Sequence, residues 1–284
     1  MTASKNTGAA IVTRFAPSPT GYLHLGHAHS ALDAWRRARH AHGRFLLRIE
    51  DIDPTRCRPE FVAALFEDLA WLGLDWELPV RRQSTHFDDY RLALDRLRAM
   101  DLLYPCFCSR KDIAAAAAAP HGPDGPLYPG TCRHLPTEVA VARQQAGEPF
   151  ALRLDIARAS EMAGPLTFEE ERLGRVIVAS RQFGDVVLAR RETPSSYHLC
   201  VTVDDHLQGV TLVTRGEDLL PATHIHRLLQ ALLGLNEPRY AHHRLLTDST
   251  GRRLAKRDAA ATLRSLREAG QSPTEVRALA GFLD

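Results

Sequence analysis

The sequence predicts an α/β protein organised around a parallel sheet, and three observations predict it. Short apolar runs alternate with longer stretches of helical period between residues 11 and 72, in the order strand, helix, strand, helix. That order suits a parallel sheet with right-handed crossovers. The composition, 44% hydrophobic and 25% charged over 284 residues, is that of an ordinary globular chain of one large domain or two smaller ones. The longest uninterrupted apolar run, Ile113 to Ala119, has seven residues, too few for a membrane-spanning helix.

The elements follow in order. Ile11 to Ala16 reads as the first strand, closed by Pro17-Ser18-Pro19-Thr20-Gly21. A helix begins at Leu25, with Ala28, Ala31, Leu32 and Trp35 on one face, and ends near His42-Gly43, where Gly43 suits a C-cap. Arg44 to Ile49 is a second strand. Pro59 suits the first turn of the next helix, in which Phe61, Leu65, Leu69 and Leu72 recur at helical spacing. Phe87 to Leu103 reads as a further helix. The pattern then stops: Cys106 to Pro136 carries Cys, Pro, Gly and the tract Ala114 to Ala119, read as a short helix within an insertion. Strands are expected at Phe150 to Ile156, Asp185 to Arg191, Val210 to Arg215 and Ala241 to Leu246, and helices at Ser195 to Leu207 and Pro221 to Leu233. A basic loop and two short helices end the chain.

Charge is informative through its distribution. The net value is only +2, yet Arg239 to Arg267 holds eight Lys or Arg and two Asp, a local charge of +6. A basic end of this kind suits a polyanionic partner. Met1 to Ala10 has one Lys and no apolar core, so a secretory leader is not expected, and the expected compartment is the cytoplasm. Five cysteines there do not suggest a disulfide framework.

The first strand leads to His24-Leu-Gly-His27 where the first helix starts. Helix N-termini offer N–H groups and positive potential to phosphate. Gly26 has no side chain to hold a purine away from the backbone, and His24 and His27 can donate to phosphate oxygens. In an open α/β sheet this junction is also where ligands bind.

The segment Arg14-Phe-Ala-Pro-Ser-Pro-Thr-Gly-Tyr-Leu-His-Leu-Gly-His27 resembles the first signature of class I aminoacyl-tRNA synthetases, and more narrowly that of their glutamyl/glutaminyl group. Further similar blocks follow in family order: Arg48-Ile-Glu-Asp-Ile-Asp-Pro-Thr-Arg56, Pro194-Ser-Ser-Tyr-His-Leu199 running on to Val203-Asp-Asp-His206, and Thr214-Arg-Gly-Glu-Asp-Leu-Leu220. The second family signature, KMSKS, is matched by Arg253-Leu-Ala-Lys-Arg257, which keeps only the fourth-position lysine, Lys256. The resemblance implies a Rossmann-like catalytic domain in which His24, Gly26, His27 and Lys256 handle ATP and its Mg²⁺, with His24, His27 and Lys256 offsetting charge on the reacting phosphorus.

A small acidic amino acid needs a carboxylate for its ammonium and a planar cation for its side chain. Glu50 stands at a strand end for the first, and Arg14 and Arg215 stand at strand ends for the second. Tyr197 offers a hydroxyl. The resemblance implies that Arg14, Ala16, Ser18, Glu50, Tyr197 and Arg215 bind glutamate. An arginine-lined pocket favours glutamate over glutamine, because a neutral amide leaves a buried guanidinium unpaired.

Cys106-Phe-Cys108 is followed after 23 residues by Cys132. Three thiolates suit zinc, which takes four ligands. His134 and His121 are chemically the obvious fourth ligands, whereas the resemblance implies Tyr128, through a Cys-x-Cys…Tyr-x-x-x-Cys pattern. Such a site is expected to be structural, stapling an insertion with little core of its own.

The chain runs 28 residues past Lys256, too few for a further RNA-binding domain, so no anticodon-binding domain is expected. This architecture resembles the branch of the family that glutamylates queuosine in tRNA(Asp). The resemblance implies ATP, L-glutamate and queuosine-containing tRNA(Asp) as partners, a monomer, and an ester formed on a base. The alternatives are another glutamyl acceptor, or a catalytically silent RNA-binding module. The expected division is a split catalytic domain (1–105 and 137–240), a zinc insertion (106–136) and a C-terminal segment with the lysine loop (241–284).

Overall fold

The computed structural model describes residues 10–109, 111–113, 121–122, 125–190, 193–246 and 261–283. The tract Ala114 to Ala119 and Lys256 lie outside them.

Strands β1 (Val12–Phe15), β2 (Arg44–Ile49) and β3 (Glu77–Arg82) form a parallel sheet in that order. Helix α1 (Leu25–His40) connects the first two and buries Ala28, Ala31, Leu32, Ala34 and Ala38. This mostly alanine face lets the helix lie close to the sheet, near enough for the Thr13 hydroxyl to donate to the Ala34 carbonyl at 2.8 Å. Helix α2 (Pro59–Trp71) begins on Pro59 and packs Leu65 and Leu69 into the same core.

Two expectations at element ends are corrected. Gly43 is not the left-handed residue after α1; His42 is, at φ 48°. Gly43 is needed for space instead, since a Cβ there would lie 2.1 Å from the Ile11 carbonyl oxygen. Helix α3 (Phe87–Ala99) stops short of Leu103, because Asp101 turns to φ 56° and Leu103–Cys106 becomes strand β4.

Strand β4 joins β7 (Ala151–Leu154) and β10 (Val187–Arg190) in an antiparallel sheet, in the order β10-β7-β4. Between β4 and β7 lie a small hairpin, β5 (His121–Gly122) with β6 (Gly125–Pro126), and α4 (Thr137–Gln145). Helix α5 (Ile156–Ala163) follows β7.

The second half of the core resumes the parallel pattern. Strand β11 (Leu212–Gly216) pairs in parallel with β12 (Arg239–His243), and β12 with β8 (Thr167–Glu170), whose antiparallel neighbour is β9 (Gly174–Ile177). Helix α6 (Tyr197–Leu207) precedes β11 and α7 (Leu220–Leu233) follows it. β1 and β11 lie side by side, tied where the Thr211 N–H donates to the Val12 carbonyl at 3.0 Å. The crevice of the molecule opens beyond the ends of these two strands, where Arg14 donates to the Thr214 carbonyl at 3.1 Å. Helices α8 (Leu263–Glu268) and α9 (Pro273–Leu279) dock Leu263, Val276 and Ala280 into the α1–α2 core. Among the described residues no helix is long and apolar enough to cross a membrane.

Candidate active site

Every described residue expected to meet glutamate or ATP lies on the wall of one cavity of about 440 Å³: Arg14, Ala16, Ser18, His24, Gly26, His27, Glu50, Tyr197 and Arg215. A second cavity of about 620 Å³ adjoins it, and Ser18, Thr20, Glu50 and Tyr197 line both.

The floor is a buried ion cluster. Arg14 donates through Nε and Nη2 to the two oxygens of Asp205, at 2.9 and 3.2 Å. Arg48, fully buried, donates to Asp205 at 2.8 Å and to Glu50 at 3.1 Å. Asp204, the neighbouring residue on α6, accepts from Arg81, Gln83 and Tyr90. Burial alone would raise Asp205, but Arg14 and Arg48 outweigh it and hold the carboxyl below its ordinary value. At Glu50 burial prevails over Arg48 and Arg14 and raises the carboxyl, a shift that a ligand ammonium would oppose. Sequence reasoning gave Arg48, Asp204 and Asp205 no role. The available signal was two adjacent aspartates inside a mostly apolar helical run, Leu199 to Leu207.

Arg215, 6% exposed, differs from Arg14 and Arg48. Among the described residues it has no carboxylate partner within salt-bridge reach. Its donors meet the Tyr197 hydroxyl at 3.3 Å, His226 Nδ1 at 3.2 Å, His242 Nε2 at 3.2 Å and Thr223 Oγ1 at 2.7 Å. A buried cation held only by neutral acceptors, on a cavity wall, is built to receive an anion.

The start of α1 corrects one expectation. Three of the backbone amides at this helix start are used within the helix. The Gly26 N–H donates to His24 Nδ1 at 3.1 Å, and those of His27 and Ala28 donate to the His24 carbonyl. His27 Nδ1 accepts in turn from the His24 N–H at 3.2 Å. A neutral ring in either position would therefore carry its proton on Nε2. Gly26 is small for the same reason, since a Cβ would lie 3.0 Å from the capping His24 ring.

The cysteine cluster forms as expected. The sulfurs of Cys106, Cys108 and Cys132 lie within 4.8 Å of one another, the only such group of metal-ligating side chains among the described residues. Cys108 Sγ is 3.5 Å from Cys132 Sγ and 3.8 Å from the Tyr128 hydroxyl, which also accepts from the Cys132 N–H at 2.7 Å. Sulfurs at these separations fit a tetrahedral shell with Zn–S bonds of about 2.3 Å. Tyr128 thus stands in the cluster, His134 is exposed to solvent, and the side chain of His121 lies outside the described structure.

A family model described as tRNA synthetases class I (E and Q), catalytic domain, matches residues 10–280. The chain belongs to this family. A relative from Rhodobacter capsulatus, named glutamyl-Q tRNA(Asp) synthetase, is 51% identical over 96% of this chain and 100% of its own length. One of the same name from Nocardia farcinica is 46% identical over 94% of this chain and 82% of its own. The glutamate–tRNA ligase of Aquifex aeolicus is 39% identical over 93% of this chain but only 55% of its own. Among solved structures, the glutamate–tRNA synthetase of Elizabethkingia anophelis superposes with a TM-score of 0.82 at 26% identity, covering 96% of this chain. This chain spans 61% of that synthetase's length. The α/β class I catalytic fold expected from the sequence is therefore the fold observed.

Proposed function

We propose that this enzyme activates L-glutamate with ATP and transfers the glutamyl group to the queuosine base in the anticodon loop of tRNA(Asp). The observation that carries the glutamate part is Arg215, a buried guanidinium without a carboxylate partner among the described residues, facing a cavity it shares with Glu50. The acceptor part is supported by the relatives named glutamyl-Q tRNA(Asp) synthetase, which are 41–51% identical to this chain.

In this reading Arg215 and Tyr197 take the side-chain carboxylate of glutamate and Glu50 takes its ammonium. Arg14, whose charge Asp205 already offsets, shapes the floor together with Ala16 and Ser18. The α-carboxylate attacks the α-phosphorus of ATP, which arrives as its Mg²⁺ complex, and pyrophosphate leaves. His24 and His27 donate to phosphate oxygens at the start of α1, Gly26 gives the nucleotide access, and Lys256 supplies a compact charge. A hydroxyl of the queuosine cyclopentenediol then attacks the acyl carbon and AMP leaves, so an ester forms. The larger cavity beside Glu50 and Tyr197 has room for the acceptor base. Catalysis rests on positioning and charge, with no protein nucleophile.

Zinc held by Cys106, Cys108, Cys132 and Tyr128 would be structural, tying residues 106–136 to the catalytic domain formed by 1–105 and 137–240. Residues 241–284 would supply the lysine loop and two short helices, α8 and α9. The working form is a cytoplasmic monomer.

Glutamate-dependent ATP–pyrophosphate exchange tests the first step, and charging of tRNA(Asp) with and without queuosine tests the second. No exchange by the folded, zinc-loaded protein would point to a silent RNA-binding module. Equal charging of the two RNAs would point to another acceptor.

A further inference from the structure

The groups behind Arg215 are as selective as Arg215 itself. An arginine side chain only donates, so every ring nitrogen it meets must present a lone pair. His242 Nε2 accepts from Arg215 Nε, which leaves the His242 proton on Nδ1. His226 Nδ1 accepts from Arg215 Nη1, which leaves that proton on Nε2, facing His198 Nδ1 at 3.2 Å. Thr223 Oγ1 completes the ring of acceptors. A carboxylate does stand close by, one imidazole away: Glu170 Oε1 lies 3.5 Å from His242 Nδ1. Glu170 is held by three backbone N–H groups, those of His242, Arg172 and Leu173, at 2.8 to 2.9 Å. The fold therefore places an acid beside this arginine, satisfies it elsewhere and puts a neutral ring between the two. At Arg14 and Arg48, by contrast, carboxylates touch the guanidinium directly.

We propose that His226 and His242 are positioning residues that hold Arg215 through neutral acceptors and so keep its full charge for the acidic side chain of the substrate. The proposal rests on the glutamate reading above and extends it. Selection of an acid over its amide then depends on Arg215 and equally on the absence of a carboxylate against it. An anionic ligand offsets the buried charge, whereas an amide leaves it exposed to a low-dielectric wall. Burial and the Arg215 charge both oppose protonation of the two rings, holding His226 well below its ordinary value and pushing His242 down to about 3.

Shape-matched pairs test this: His242→Gln against His242→Glu, and His226→Asn against His226→Asp. The members of each pair differ in charge and little in size. In glutamate-dependent exchange, the carboxylate member should show a glutamate KM about tenfold or more above its amide partner, with the KM for ATP within about twofold. It should also lose discrimination against glutamine. Equal glutamate KM values within both pairs would overturn the proposal. If the carboxylate variants do not fold, the wild-type protein labelled with ¹⁵N-histidine decides by NMR. Neutral rings near about pH 7, protonated at Nδ1 in His242 and at Nε2 in His226, are expected; an imidazolium or the opposite tautomer at either position overturns it. Absence of exchange in the wild type would count against the glutamate reading alone, since the tautomers are read without substrate.

Discussion

The hydroxyl of Tyr197 accepts a hydrogen bond from Arg215 Nη1 at 3.3 Å, joining the first residue of α6 to strand β11 across the crevice. Both side chains thus turn into the cavity that the sequence assigns to the amino acid. Removing the guanidinium leaves the ligand carboxylate without its charged partner, a loss of about 2–5 kcal/mol. Arg215→Ala should raise the glutamate KM in pyrophosphate exchange by about thirtyfold or more while the KM for ATP moves little. Arg215→Lys should recover only part of the loss, because an ammonium cannot reproduce the planar fork. A glutamate KM within about threefold of wild type in both variants would remove Arg215 from substrate binding.

Lys256 is expected to act on the phosphates. Lys256→Ala should slow exchange by on the order of tenfold or more, about 1.4 kcal/mol of transition-state stabilisation. An unchanged rate at saturating ATP would exclude it from the reaction.

Elemental analysis should find about one zinc per chain, as a site of three thiolates and a phenol requires. Chelation, or Cys132→Ser, should lower the melting temperature by about 5 °C or more, since binding to a site absent from the unfolded chain contributes to folding. Metal-free protein with an unchanged melting curve would contradict this.

Asp68 on α2 is buried, and neither carboxylate oxygen has a hydrogen-bond partner; the nearest cation, Arg267 of α8, is 3.9 Å away. Burial outweighs Arg267 and raises the acid from 3.8 to about 6. The folded state therefore binds the extra proton, so this residue's contribution to stability is full below about pH 4 and is lost as pH rises through about 6. Asp68→Asn, which resembles the protonated acid, should stabilise the protein by about 1 kcal/mol or more at pH 7 and by almost nothing at pH 4. Urea unfolding at the two pH values measures the difference, and equal effects at both would refute the assignment.

Gly43→Ala places a methyl group 2.1 Å from the Ile11 carbonyl oxygen, a backbone atom that cannot swing aside. The Arg44 N–H donates to that same oxygen at 2.8 Å, so the start of the β1–β2 pairing must shift. A loss of about 1–3 kcal/mol is expected in denaturant unfolding. A change below about 0.5 kcal/mol would show that the strands give way easily.

The sequence disclosed whatever depends on local pattern. The alanine spacing of α1 and the apolar run of β2 are written in neighbouring residues, and both elements form where they were expected; α6 begins at Tyr197, two residues inside the expected start at Ser195, because Ser196 caps it. Strand β3 was missed because Glu77-Leu-Pro-Val-Arg-Arg82 carries three charges and a proline, which only an edge strand tolerates. The β8–β9 hairpin was missed because Glu169 and Glu170 interrupt any apolar pattern, although three backbone N–H groups satisfy the buried Glu170 carboxylate. The positions expected to meet glutamate and ATP come from the family blocks, and the described ones share a cavity. Their supports were not legible. Asp205 is met by Arg14 and Arg48, 191 and 157 residues distant, and the acceptors around Arg215 include histidines on α7 and β12. Long-range pairing leaves no periodic trace in the sequence.

The wall made by Ser18, Thr20, Glu50 and Tyr197 faces two rooms at once. In the proposed reaction the mixed anhydride formed in one is prone to hydrolysis, and its acceptor would wait in the next. Partition between productive transfer and wasteful leakage is then set by how promptly the second room is filled, and each ATP spent while it stands vacant is an ATP at risk.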